Sequence, residues 1–490
     1  MLRELADLRQ DAAGLAAGLA RARYLRFTGR RGESPLRELI RSHGLATGAD
    51  GLAQVREALE NALAEDPVRK ARLARLTSLR AFLAQARALA LEPGAAQELF
   101  ELPQRPLVRP PGDAGLHGAV PAVAVLRELP HLRSRERRAE LESALEAALK
   151  PSEEVMSAAW DAAQSARAEA GLSAPAQAAE WATKLLASTD ALQGDLGAWL
   201  LERHTGVKSG LAARHDLLHF LHAPRCSSAF LAGELQRTVR RWAEMLRLEL
   251  SEVKVDDEVR PLKWPGAQAE PLDPPFEAGL SLLPAEGPRA LSSLLSALGA
   301  ALLRVGPPED APPEDLWMGD AAVRHACGAV LAGLLLEPGW LRRCARVELQ
   351  RDDERALAIA AVLDARIAAA QTLAVLQAQD AGLGARTAGA HQDLYLRATG
   401  AELPRGFALV DLDPWFDSFA RLRGMALAAR AQVFLRERYD EDWWRNPRAA
   451  PSLGGLWNRG GRPTFDELWA EMGGEPSLDF LVTGLTSACL

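Results

Sequence analysis

The chain has 490 residues, of which 48% are hydrophobic and 25% are charged. This composition excludes disordered, collagenous and low-complexity proteins, and it provides for roughly two to four domain-sized units. The net charge of -7 argues against a surface built to collect phosphates, so we expect no nucleic-acid partner. Four cysteines without a CxxC pair predict reduced thiols rather than a disulfide framework.

The N-terminal residues give no sign of a targeting signal. The opening MLRELADLRQ carries basic and acidic side chains from its third position, so it does not form the apolar core of a signal peptide. The longest uncharged run, residues 290–303, is too short to cross a bilayer. We therefore expect a cytoplasmic protein without a membrane partner.

Helix-forming residues dominate the chain from end to end. In residues 51–64, 139–148 and 356–376, apolar side chains recur at spacings of three and four, which predicts amphipathic helices. Stretches rich in proline and glycine interrupt this pattern at residues 102–121, 260–289 and 306–315. Only residues 277–283 read as a short strand, so the pattern predicts a mostly α protein with a short β ribbon.

Five short motifs follow one another in the C-terminal half. They are EVRPLK at residues 258–263, SALGAA at 296–301, GDAAVRH at 319–325, LEPGWL at 336–341 and DWWRNP at 442–447. Their types and order resemble the thimet oligopeptidase and oligoendopeptidase family of zinc metallopeptidases. The resemblance implies two helical halves around a cleft, an N-terminal half at residues 1–205 and a metallopeptidase-like half at 206–490, forming one continuous unit.

In that family a helix carries HExGHA, and a later helix supplies a glutamate ligand. Carried over residue by residue, the two histidine positions are Ser296 and Ala300, the general base is Ala297, and the glutamate position is His325. Only His325 can coordinate a metal, whereas a catalytic zinc needs three protein ligands. The resemblance therefore implies a degenerate zinc site that holds no metal and no other cofactor. It predicts a pseudoenzyme, catalytically inactive, that binds a polypeptide or a partner protein through the former substrate cleft.

Two other interpretations remain open. His215, His219 and His222 are spaced by four and three residues, which puts three imidazoles on one helical face, so they are an alternative metal site. On that reading the chain is an active metal-dependent peptidase with a displaced site. Separately from metal binding, the chain could serve as a structural subunit of a larger assembly. SALGAA by itself also fits an ordinary core helix in which small residues allow close packing.

Overall fold

The computed structural model describes residues 2–30, 36–62, 67–109 and 118–490, with the backbone alone described at residues 2, 3, 67–69, 106 and 107. Residues 63–64 of one predicted helix and 110–117 of the predicted break at 102–121 lie outside these ranges. The described part of the chain is mostly helical with small sheets, as the composition predicts.

The first part of the chain is a set of helices with its own small core. These helices are α1 (Leu2–Phe27), α2 (Leu36–Ser42), α3 (Gly44–Thr47), α4 (Ala49–Glu60), α5 (Pro67–Leu91) and α6 (Pro93–Glu101). Buried leucines of α1 and α5, such as Leu15 and Leu83, form this N-terminal core together with Ala170 and Met318 from later in the chain. The predicted helix at 51–64 corresponds to α4.

A second group of elements follows, with short helices joined by small strands. It contains β1 (Pro106–Val108), β2 (Val120–Pro121), α7 (Ala122–Glu128), α8 (Arg135–Leu149), α9 (Glu153–Glu169), α10 (Ala178–Leu192), α11 (Ala198–Thr205), β3 (Ala212–Ala213), α12 (Arg214–Leu221) and α13 (Ala232–Leu246). Its buried side chains belong to a main core that runs from Leu102 to Cys489. The change between the two cores therefore falls near residue 102, and the boundary at 205 stays a prediction.

The third group contains the three-stranded sheet and α18, which is the longest helix in the described part of the chain. It contains β4 (Val253–Asp256), β5 (Ala267–Asp273), β6 (Glu277–Leu282), α14 (Pro288–Val305), α15 (Pro313–Trp317), α16 (Ala321–Ala332), α17 (Pro338–Trp340), α18 (Arg351–Ala381), α19 (Ala385–Thr399), β7 (Ala401–Glu402), α20 (Arg405–Val410), α21 (Asp417–Tyr439), α22 (Ala450–Trp457), α23 (Phe465–Met472) and α24 (Asp479–Cys489). The central strand β6 runs parallel to β4 and antiparallel to β5. The predicted strand at 277–283 is thus confirmed as β6, whereas β4 and β5 were not predicted.

Ion pairs attach the N-terminal helices to the main core. On α15, Glu314 and Asp315 are 1% and 3% exposed, and they pair with Arg9 of α1 and Arg75 of α5 at 2.6 and 2.7 Å. Buried carboxylates need such partners because an unpaired charge is costly away from water. The segment at residues 306–315 has a polar, proline-rich sequence, yet its last two residues are buried and attach α15 to α1 and α5.

The helix α18 is long and apolar enough to cross a membrane by length and composition. In the structure, 61% of its most apolar window is buried inside the protein. Its Arg366 is 1% exposed and donates hydrogen bonds to the carbonyl oxygens of Ala398 and Leu186 at 2.7 and 2.9 Å. These contacts are those of a central core helix.

Candidate functional site at the contact of α14 and α16

The helix α14 carries three of the four positions implied by the resemblance. Pro288 occupies its first turn, where the missing N–H costs nothing, and buried leucines such as Leu291, Leu295 and Leu298 anchor one face in the main core. Ser296 is exposed, Ala300 is half-buried and Ala297 is 6% exposed. The serine therefore lies on a solvent-facing part of the helix surface.

The two helices α14 and α16 pack unusually closely because glycines face the partner backbone. A Cβ atom on Gly299 would lie 2.1 Å from the carbonyl oxygen of Cys327, and one on Gly328 would lie 2.6 Å from Oγ of Ser296. Ser296 thus contacts α16 at the residue three positions after His325, which is one turn of that helix. The structure brings the SALGAA segment and the helix of His325 together, as the resemblance implies.

His325 is bound to a carboxylate that the sequence does not place near it. Its Nε2 lies 2.9 Å from Oδ1 of Asp417 in the first turn of α21, and the Arg324 guanidinium lies 2.9 Å from the same carboxylate. The helices approach closely here because Gly424 on α21 faces the Cβ of His325. This dyad was missed by sequence reasoning, since its members are 92 positions apart.

The electrostatics of the dyad favour a neutral imidazole beside an ionised carboxylate. Burial lowers the pKa of His325, and this outweighs the attraction of Asp417. Burial alone would raise the pKa of Asp417, but the hydrogen bond with His325 and the charge of Arg324 hold that pKa well below its usual range. With the imidazole neutral and the carboxylate ionised, the Nε2–H group of His325 donates a hydrogen bond to Oδ1 of Asp417.

The residues at these four positions do not fit a catalytic zinc ion. The methyl groups of Ala297 and Ala300 have no lone pairs, and a neutral serine hydroxyl at position 296 is a poor zinc ligand. The remaining imidazole, His325, has one ring nitrogen committed to Asp417. Within the described residues, no group of three or more His, Cys, Asp or Glu side chains is arranged to hold a metal ion.

The second histidine cluster lies on α12 and at its end, where the His222 carbonyl oxygen faces Gly287 just before α14. The Nδ1 atoms of its imidazoles face three different acceptors: Oε2 of Glu142 for His215 at 2.9 Å, the carbonyl oxygen of Pro130 for His219 at 2.7 Å, and the carbonyl oxygen of Leu218 for His222 at 2.9 Å. The spacing of four and three residues along the chain therefore does not bring the three Nδ1 atoms toward one point. Metal binding by His215, His219 and His222 through their Nε2 atoms stays a prediction.

A buried charge network fixes the start of α12. Asp216 is 0% exposed, and it accepts hydrogen bonds from Arg138 and Arg135 and from the backbone N–H of Ala213. The last of these bonds caps the helix. In sequence, Asp216 occupies the position of a protease glutamate in HDLLH. In the structure it is a positioning carboxylate whose charge is neutralised by two arginines.

Comparison with known proteins identifies the fold and leaves the sequence family open. No family model matches the chain, and neither does any curated protein. Among solved structures, PZ peptidase A with inhibitor 2 aligns with a TM-score of 0.63 at 14% identity, covering 92% of this chain and 86% of that one. A protein described as an oligoendopeptidase F from Bacillus anthracis aligns with a TM-score of 0.62 at 12% identity, covering 92% and 84%.

The M32 carboxypeptidase from Deinococcus radiodurans R1 aligns over nearly the whole of both chains. Its TM-score is 0.53 at 14% identity, and the alignment covers 100% of this chain and 99% of that one. Identities this low show the fold alone. The chain therefore has the fold shared by these oligoendopeptidase and M32 carboxypeptidase structures.

Proposed function

We propose that this chain is a catalytically inactive protein of metallopeptidase fold that binds a polypeptide at the exposed surface around Ser296 of α14 and Arg324 of α16, here called the cleft face. One observation carries the proposal. On α14, which packs against the helix of His325, the positions that would supply the other zinc ligands and the base are Ser296, Ala300 and Ala297, and these side chains cannot form a zinc site together with His325. A hydrolase that depends on zinc-bound water would lack both the metal ligands and the general base.

The character of the replacements supports loss of the metal with retention of the fold. Alanine at positions 297 and 300 leaves no unpaired polar group in a partly buried, metal-free site. His325, which would otherwise leave ring nitrogens unpaired, is hydrogen-bonded to Asp417. The helices that would carry a zinc site remain closely packed through Gly299 and Gly328.

The surface at this contact is suited to binding. Ser296 and Arg324 are both exposed, and the Arg324–Asp417 pair lies beside the imidazole of His325. These groups offer hydrogen-bond donors and acceptors to the main chain of a polypeptide. The fold neighbours are peptidases, so binding of a peptide without cleavage is the activity that remains when the metal ligands are removed.

A mixed peptide library tests the proposal. The purified protein is incubated with the library in excess zinc, and both retained peptides and cleavage products are read by mass spectrometry. We expect retention of intact peptides and no new termini. Ser296→Trp should lower peptide retention at least tenfold by blocking the cleft face, whereas Ser165→Trp, at an exposed serine of α9, should leave it unchanged.

Two results would contradict the proposal. Cleavage that requires zinc would show an active peptidase, and the absence of any retained peptide would show that the cleft does not bind polypeptides. Because a tryptophan beside Gly328 can disturb packing, Arg324→Glu provides a second test at an exposed position. Circular dichroism of each variant separates loss of binding from loss of fold.

A further inference from the structure

A pocket lies between α14, α16, α18, α21 and α24, and it is open to solvent at α24, where Asp479, Thr483 and Ser487 are exposed. Its volume is about 940 Å³. Ser292 on α14 and Ala329 on α16 line it, each four residues from Ser296 and His325 respectively. Among the described residues, neither Ser296 nor His325 belongs to its wall. The cavity is therefore displaced by about one helical turn from the degenerate zinc positions.

Small side chains on facing helices create this cavity. Ala332 of α16, Ala361 of α18 and Ala429 of α21 lie on its wall and are only half-buried. Larger apolar groups, among them Leu357 and Phe480, complete the lining. The volume of this concave, mostly apolar surface lies within the range of ligand pockets, so it is large enough to hold a small molecule.

The charged side chains on the wall largely neutralise one another. Arg289 pairs with Asp364, and Arg436 pairs with Glu337. These four residues thus contribute no net charge to the cavity.

Two further carboxylates on the wall have cations nearby. Asp479 pairs with Lys184 at 2.9 Å, and Glu354 lies within one turn of Arg351 and Arg355 on α18. A charged ligand would therefore have to compete with existing ion pairs at five of the charged side chains on this wall, whereas an uncharged ligand would not.

The wall offers few hydrogen-bonding groups for the regular donors and acceptors of a peptide main chain: the hydroxyls of Ser292, Thr483 and Ser487 are present, but most other lining side chains are apolar or ion-paired. Helical walls have already used their backbone N–H and C=O groups within each helix. The side-chain amide of Gln432 donates to the carbonyl oxygen of Val330 at 3.1 Å, so it too is engaged. Each buried peptide unit would bring one unpaired donor and one unpaired acceptor, which is costly, whereas a hydrocarbon brings neither.

We propose that this cavity binds a small uncharged molecule with an aliphatic body. Burial of apolar surface against alanine and leucine side chains provides the attraction, and the compensated ion pairs select against charged head groups. The cavity adjoins the surface around Ser296 and Arg324, but neither residue lines it, so failure of the probes below would not by itself exclude peptide binding at that surface.

Displacement of the neutral dye Nile red by three twelve-carbon probes tests the chemistry. The probes are 1-dodecanol, dodecanoate and dodecylammonium, used below their aggregation concentrations. We expect dodecanol to displace the dye with an affinity at least tenfold higher than that of either charged probe. Failure of dodecanol to displace the dye would overturn the proposal, and so would equal or tighter binding of a charged probe.

Variants that fill the cavity place the binding at this site. Ala361→Phe and Ala429→Phe extend into the cavity from two different helices, whereas Ala381→Phe lies at the exposed end of α18. We expect the first two to weaken dodecanol binding at least tenfold and the control to change it less than twofold. If a phenylalanine variant loses helical circular dichroism, Ala361→Leu and Ala429→Leu replace it. Unchanged binding in folded cavity-filling variants would overturn the assignment.

Discussion

The histidine at the contact of α14 and α16 and the histidines of α12 illustrate two fates of residues that resemble metal ligands. His325 lies on a helix that packs against α14, but it has no second metal ligand there, because the positions that would supply one are Ser296 and Ala300. The α12 region has three imidazoles at helical spacing, but each Nδ1 contacts a different acceptor. A metal site requires both ligand type and convergence, and each region shows one requirement without the other.

The largest effect is expected where the α12 region depends on buried charge. Asp216→Ala leaves the guanidinium of Arg138, which is 2% exposed, without its carboxylate. Loss of one partner of a buried pair typically costs about 3–5 kcal/mol. The free energy of unfolding, measured in urea, should fall by that amount. Asp352→Ala removes an exposed carboxylate paired with Arg203 and should cost less than about 1 kcal/mol. Similar losses for both variants would show that α12 does not depend on this network.

A smaller effect is expected where α14 meets α16. In Gly299→Ala the new methyl group lies against the carbonyl oxygen of Cys327, so one helix must shift. Overpacking of this kind costs about 1–3 kcal/mol. Gly389→Ala on α19 is the matched control, since nothing lies within 4 Å of its Cβ position, and the variant should be as stable as the parent or up to about 1 kcal/mol more stable. A neutral Gly299→Ala would contradict the close approach of the two helices.

The last effect appears only in acid and concerns the pH dependence of stability. Burial lowers the pKa of His222 to about 3, below the usual value of 6.5, so the unfolded chain binds a proton that the folded protein excludes. This contribution to stability is present above pH 6.5 and is lost progressively as the pH falls toward 3. His222→Gln should reduce the slope of unfolding free energy between pH 6 and pH 4 by up to about 1.4 kcal/mol per pH unit. Identical slopes for the two proteins would show that His222 protonates freely in the folded state.

Much of the helical fold is predictable because its signals are local. The apolar spacing of residues 356–376 lies within α18, and Glu153 and Glu154 occupy the first turn of α9, where the helix dipole favours acidic side chains. The strand β5 was missed because AQAEPLD contains alanine and proline, which strands disfavour, and only its position at the edge of a three-stranded sheet makes Pro271 acceptable. Pairing with β6, which is a tertiary contact, is therefore what makes this segment a strand.

The candidate site was predictable in its helix positions and unpredictable in its contacts. The resemblance implied that SALGAA and His325 lie on neighbouring helices, and α14 and α16 are in contact. Asp417 carries no signal of its own, since a single acid at the start of a helix is common and its partner is far away in sequence. The buried roles of Glu314 and Asp315 were equally hidden, because a PPED segment has the composition of a solvated loop.

The central claim is that this fold has lost its zinc site through the residues at 296, 297 and 300. Zinc content, measured by mass spectrometry of the metal after equilibration with zinc and gel filtration, tests it most directly. The comparison protein is Ser296→His combined with Ala300→His and His325→Glu; Ala297 is left unchanged because it is buried. Its matched control combines Ser292→His, Ser296→His and His325→Glu. This control keeps two histidines four residues apart but moves the pair by one helical turn.

We predict substoichiometric zinc, below about 0.1 ion per chain, in the parent protein and in the control, and about one ion per chain in the triple variant. One zinc per chain in the parent protein would contradict the account. If His219→Ala then removed that zinc, the metal site would be on α12. Absence of zinc from a folded triple variant would show that Ser296, Ala300 and His325 do not converge.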